Sequence, residues 1–233
     1  MKEPKAQEKW ECKCIREMNS LGTQNLPWVQ IWGLKPLYTS PRDTYTWLKL
    51  RHRNLYVANK DVKSNNQKCL ACDDGEGWNY ESMKHLAECE AIRIEFWIPL
   101  LEVMDKMQIK VPREEENLTL FILLGVIDKE KVCCREGAAV LALGWRCLYA
   151  EIVRCRKDEL WEDLKLGKAI KRTAAMLISR ITAYGEKWRF SYLKTHHTSR
   201  FKEVPKKHQN YKCIAINSDA TYTVSKELLH FLR

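Results

Sequence analysis

Cys69, Cys72, His85 and Cys89 stand as Cys-x2-Cys-x12-His-x3-Cys, and that spacing constrains the fold more than any other feature of the chain. Thiolate and imidazole are ligands that zinc prefers, and four of them complete a tetrahedral site. Two cysteines separated by two residues reach one ion from a tight turn. His85 and Cys89 are four apart, so on a helix they share a face about one turn from each other. With protein at all four positions there is no open coordination site for water. The pattern therefore predicts one structural zinc and not a catalytic one.

The rest of the chain must supply the core around such a staple. At 233 residues it is long enough to bury one, as one large domain or two small ones. Only 9 glycines and 7 prolines, against abundant Leu, Glu, Lys and Arg, lean the chain towards helix. The most apolar stretches, around Leu118–Ile127 and Gly137–Trp145, are about half the roughly 20 residues a membrane span needs. Met1 to Cys14 is charged throughout and has no apolar signal-peptide core. An intracellular, reducing setting is expected, nuclear or cytoplasmic, in which Cys133–Cys134, Cys147 and Cys155 are small buried hydrophobes on helices.

The expected fold class is mostly α, a zinc-stapled helical domain followed by a long-helix bundle and a basic tail. The boundaries are an N-terminal segment over 1–25, the zinc domain over 26–110, the bundle over 111–192 and the tail over 193–233. Ser40-Pro41-Arg42-Asp43 reads as a helix start, with Ser as N-cap, Pro in the first turn and Asp near the positive end. That helix would turn Tyr45, Leu48 and Leu55 inward and Arg51 and Arg53 outward. Ser82 caps a second predicted helix running to about Lys106, interrupted near Pro99. Leu118 to Leu124 is buried, but periodicity does not separate helix from strand there. Trp145, Leu148, Ile152 and Cys155 recur at steps of three and four. Ile170, Ala174, Leu177, Ile181, Tyr184 and Trp188 continue at 4-3-4-3-4, the seam of a packed helix pair. Core packing is the leading explanation of that stripe, and helix-mediated self-association the other. A short helix closes the chain at Lys226–Leu232.

The net charge of +10 is uneven. Between Lys187 and Lys212 eight Lys or Arg face a single acid, Glu203, with five aromatic side chains interleaved. Basic groups neutralise phosphates and aromatic faces stack on unpaired bases, so RNA or DNA is the expected partner. Arg189, Lys194, Arg200, Lys202, Lys206 and Lys207 are the candidate phosphate contacts.

The ligand spacing also fits a two-Cys two-His finger with Cys89 in place of the last His. Such a finger wants Phe and Leu where Glu76 and Ser82 stand, so its miniature core is missing. The wider order is different. Trp28-x3-Trp32, Pro36, Trp47-Leu48-x-Leu50-Arg51, Cys69-x2-Cys72, Glu81-Ser82-x2-His85-Leu86-x2-Cys89 and Trp97-x2-Leu100 follow one another over residues 26–104. This resembles the zinc-binding domain near the C-terminus of non-LTR retrotransposon reverse transcriptases. Leu55-Tyr56-Val57 stands where that family carries Leu-Pro-Thr, and the loop between the ligand pairs is longer and more acidic, as in a diverged copy. The resemblance implies a metal-stabilised module that helps a retroelement protein grip RNA or DNA. It also implies that Leu86 and Trp97 pack against Trp28, Trp32 and Trp47.

The chain carries no motif for polymerase or nuclease chemistry. The aromatic-x-Asp-Asp of a polymerase centre is missing, and Asp73-Asp74 reads as turn chemistry inside the ligand loop. Asp158, Glu159, Glu162 and Asp163 read as the solvated face of a helix, and His196-His197 as part of a solvated tail. No catalytic residues, small-molecule substrate or membrane partner are expected. The rival expectation is a zinc-stapled helical protein–protein interaction module.

Overall fold

A computed structural model describes residues 26–52, 55, 68–72, 81–128, 130–157, 164–196, 211–216 and 221–231, with backbone alone at 115–116 and 188–196. The architecture is mostly α, as expected. The helices are α1 (Trp28–Gly33), α2 (Pro41–Arg51), α3 (Met83–Glu88), α4 (Glu90–Ile92), α5 (Ile98–Lys106), α6 (Glu115–Leu124), α7 (Arg135–Lys157), α8 (Leu166–His196) and α9 (Lys226–Phe231). Two antiparallel hairpins accompany them, β1 (Val126–Asp128) with β2 (Lys131–Val132) and β3 (Ile214–Ile216) with β4 (Tyr222–Val224).

The long helices α7 and α8 pack along each other and carry the core. Trp145, Leu148, Ile152 and Cys155 of α7 are buried, as are Ile170, Ala174, Leu177 and Ile181 of α8. The stripe of α8 from Ile170 to Ile181 is thus spent inside the chain, where each large aliphatic side chain removed from water contributes about 1.5–3 kcal/mol, while Tyr184 is half-buried and the side chain of Trp188 lies outside those described. Buried residues from Leu26 through to Leu228 join a single hydrophobic cluster.

Helix α2 begins as its sequence predicts. The Ser40 hydroxyl accepts from the Asp43 amide, and the Asp43 carboxylate accepts from the Ser40 amide, a reciprocal capping box. Its inner face differs from expectation. Tyr45 and Leu48 are 59% and 42% exposed, while Trp47, Leu50 and Arg51 are buried, and only Leu55 lies inward as expected. Arg53 lies outside the described residues. Trp47 offers the larger apolar surface, and Arg51 finds acceptors inside. Its guanidinium donates to the carbonyls of Leu34 (2.8 Å) and Ile31, closing the C-terminal end of α1, and lies over the rings of Trp32 and Trp47. Burial without a carboxylate partner pushes its pKa down to about 10.

The interruption expected near Pro99 is a π turn, Arg93–Trp97, directly before it. Pro99 then falls in the first turn of α5, which continues the π turn without a break in helical backbone, and its missing N–H is a reason the regular ladder is interrupted there. Leu118–Leu124 is helical, part of α6, and Gly125 ends that helix at φ 74°, its N–H bonding the Phe121 carbonyl. The closing helix runs over Lys226–Phe231, close to its predicted span.

Residues 211–213 return to the start of α7 through Glu136, a buried carboxylate in that helix's first turn. It accepts from the Tyr38 hydroxyl (2.8 Å) and from the amides of Lys212 (2.8 and 2.9 Å) and Cys213 (2.9 Å). Tyr38, Tyr184 and Tyr211 pack edge to face around it. No described helix is long and apolar enough to cross a membrane.

Candidate metal centre

Cys69 and Cys72 flank a turn at Leu70-Ala71, which turns both thiols to one side. His85 and Cys89 come from α3, whose start is fixed by two contacts. The Ser82 hydroxyl accepts from the His85 amide (2.9 Å), the N-cap the sequence predicts. Glu81, buried just before it, pairs with Arg156 in the last turn of α7. Leu86 and Ala87 seat α3 in the core, and the Trp97 indole donates to the Leu86 carbonyl (3.0 Å).

Cys89 departs from the one-helix picture. It is the residue at which α3 stops, with φ −52° and ψ 120°, while its amide still bonds the His85 carbonyl at 2.6 Å. The break swings its sulfur towards the turn, and α4 restarts at Glu90.

The four side chains meet. Their donor atoms all lie within 4.8 Å of one another. Cys69 Sγ to Cys89 Sγ is 3.9 Å, Cys72 Sγ to Cys89 Sγ is 3.4 Å, and Cys72 Sγ to His85 Nε2 is 3.2 Å. A tetrahedral ion with sulfurs at about 2.3 Å has donor–donor edges of about 3.7–3.8 Å, so these separations fit one metal ion with little movement. Cys69 and Cys89 are buried while Cys72 and His85 are half-buried, so the cluster lies at the edge of the core. Among the described residues no other group of three or more His, Cys, Asp or Glu is placed to hold a metal. The thiols of the cluster influence one another's protonation. A hydrogen bond from the Cys69 thiol, with further bonds from His85 and Cys72, outweighs burial and draws Cys89 down to about 4. Cys69, giving that bond, is pushed up. A metal is the group that lets several thiolates coexist at this distance.

Other expectations meet the structure unevenly. Trp97 packs against Phe96 and Trp145 instead of the Trp28/Trp32/Trp47 group, because α7 supplies the nearer ring. Cys147 and Cys155 are buried on α7, but Cys133 and Cys134 precede that helix, and Cys134 is exposed. The candidate phosphate contacts are not brought into view. Arg189 and Lys194 lie on the backbone of α8 without described side chains, and Arg200, Lys202, Lys206 and Lys207 lie outside the described residues, as do Asp73-Asp74 and the acids at 158–163.

Compared with protein-family models, curated proteins and solved structures, the chain matches none.

Proposed function

We propose that the protein is a non-enzymatic, zinc-stapled nucleic-acid-binding module, of the kind found in the C-terminal region of non-LTR retrotransposon reverse transcriptases. The observation that carries it is the convergence of Cys69, Cys72, His85 and Cys89 on a volume one ion would fill. Three sulfurs and one imidazole suit zinc, and four protein donors suit a structural role. The ion would tie the Cys69–Cys72 turn to α3. Its binding energy would be folding energy.

Nucleic acid as the partner is supported by the net charge of +10 and its concentration between Lys187 and Lys212. Counterion release makes such binding steeply dependent on salt. The test is fluorescence anisotropy with labelled single- and double-stranded oligonucleotides over a salt series, with and without a zinc chelator. Binding that weakens steeply with salt, and falls when the chelator removes the metal, is expected. No binding at low salt refutes the nucleic-acid role.

A further inference from the structure

Where α2 crosses α7 and α8, basic groups gather around a single acid. Asp43 is the only acid between Leu26 and His52, and it is fully buried. Arg146 of α7 and Arg180 of α8 both bond it, Arg146 through Nη1 and Arg180 through Nε at 3.1 Å. A guanidinium has five N–H donors, so one carboxylate leaves most of the donors of both side chains unspent. Their side chains remain 21% and 35% exposed. Arg42 adjoins Asp43 in the chain, and Arg172 stands two turns before Arg180, about 12 Å along the helix axis. Both are exposed, and neither forms an ion pair among the described residues. Eight residues advance about 80° beyond two full turns, so Arg172 lies on the side of α8 adjoining that of Arg180.

An aromatic ring adjoins Arg42 on the outer face of α2. Tyr45, three residues on from Arg42, is 59% exposed, and the Lys49 ammonium sits 4.7 Å from its ring centre. The fold accounts for Asp43 with its two arginines. It does not account for Arg42 and Arg172, which form no ion pair among the described residues, or for the exposed ring beside Arg42.

We propose that this surface binds a single-stranded nucleic acid, with Arg42, Arg146, Arg172 and Arg180 on its phosphates and a base stacked on Tyr45. Arginine is suited to phosphate by its planar donor fork, and an aromatic face accepts any base. The inference rests on the nucleic-acid role proposed above and assigns it a site within the helical fold, separate from the cations at 200–207.

The test uses the full chain, with a labelled oligothymidylate and an oligouridylate titrated over a salt series. Arg42→Gln/Arg172→Gln removes two cations whose side chains hold no ion pair among the described residues, while Arg146 and Arg180 are left alone because they secure Asp43. The slope of log affinity against log salt should fall by about 1.4, from about 0.7 per phosphate on a single strand. Tyr45→Ala should weaken binding at least about fivefold with the slope unchanged. Thermal melts check that each variant is folded, and the double variant decides alone if Tyr45→Ala is not. If the wild type binds and the double variant keeps its slope, while neutralising Arg200, Lys202, Lys206 and Lys207 abolishes binding, this surface is refuted and the nucleic-acid role stands. If the wild type binds neither strand at low salt, both fall.

Discussion

Replacing Glu136 by Gln keeps the shape of the side chain and removes its charge, and the consequence can be worked from the contacts. The carboxylate is 4% exposed and accepts from one hydroxyl and two backbone amides. Lys212 N–H reaches both oxygens, at 2.9 and 2.8 Å. A glutamine oxygen can keep Tyr38 and Cys213, but its NH2 then faces the Lys212 N–H, donor against donor. Burial, with the Glu136 charge beside it, holds the Tyr38 hydroxyl well above its usual range, so it stays a donor throughout. Losing one charge-assisted bond and weakening the others costs about 2–3 kcal/mol. For a chain of this length that lowers Tm by about 4–12 °C. Differential scanning fluorimetry reads the shift, and hydrogen exchange should show the amides of Lys212 and Cys213 exchanging faster. An unchanged melt, with those two amides as protected as before, would refute the placement of residues 211–213 on α7.

Asp43 gives a pH-dependent counterpart. Burial alone would raise its carboxyl, but the hydrogen bonds from Ser40, with Arg146, outweigh that and hold its pKa below the ordinary value. Its stabilisation is therefore present above the unfolded value of about 3.9 and lost as pH falls through the lower native one. Asp43→Asn should cost about 3 kcal/mol at neutral pH, the low end for breaking a buried pair because both arginines are partly exposed. It should also flatten the acid limb of urea-denaturation midpoints, and an acid limb as steep as the wild type's would count against this role. Gly125→Ala forces φ 74° on an L-residue and places a methyl 3.0 Å from both Cys133 Sγ and Leu34 Cδ2. A loss of about 1–3 kcal/mol in chemical denaturation is expected, and no loss would contradict the turn after α6.

Much of the fold was legible locally. Ser40 and Ser82 announce their helices because an N-cap acts over three residues, and the Ile170–Ile181 stripe is a periodic signal that only a buried helix face needs. The four positions that could hold a metal were legible for the same reason, since their spacing reports the turn and the helix next to which they lie. What stayed hidden depends on distant partners. Arg51 reads as an outward charge until the carbonyls of Ile31 and Leu34, 20 and 17 residues earlier, are seen to need a donor. Glu136 reads as a helix-start acid, yet its partners lie 98, 76 and 77 residues away. Arg180 meets Asp43 across 137 positions. No window of sequence holds both ends of such a contact. The halt of α3 at Cys89 was hidden in another way, since no glycine or proline marks it, and only the structure shows that its sulfur lies 3.4 Å from that of Cys72.

The central claim is that the cluster of Cys69, Cys72, His85 and Cys89 holds zinc and that the fold depends on it. Elemental mass spectrometry of the purified protein, beside a Cys69→Ser/Cys72→Ser variant, tests it directly. One zinc per wild-type chain, with the variant metal-free and unfolded, is the predicted result. A stably folded wild-type protein containing no zinc would contradict it, and with it the retroelement resemblance.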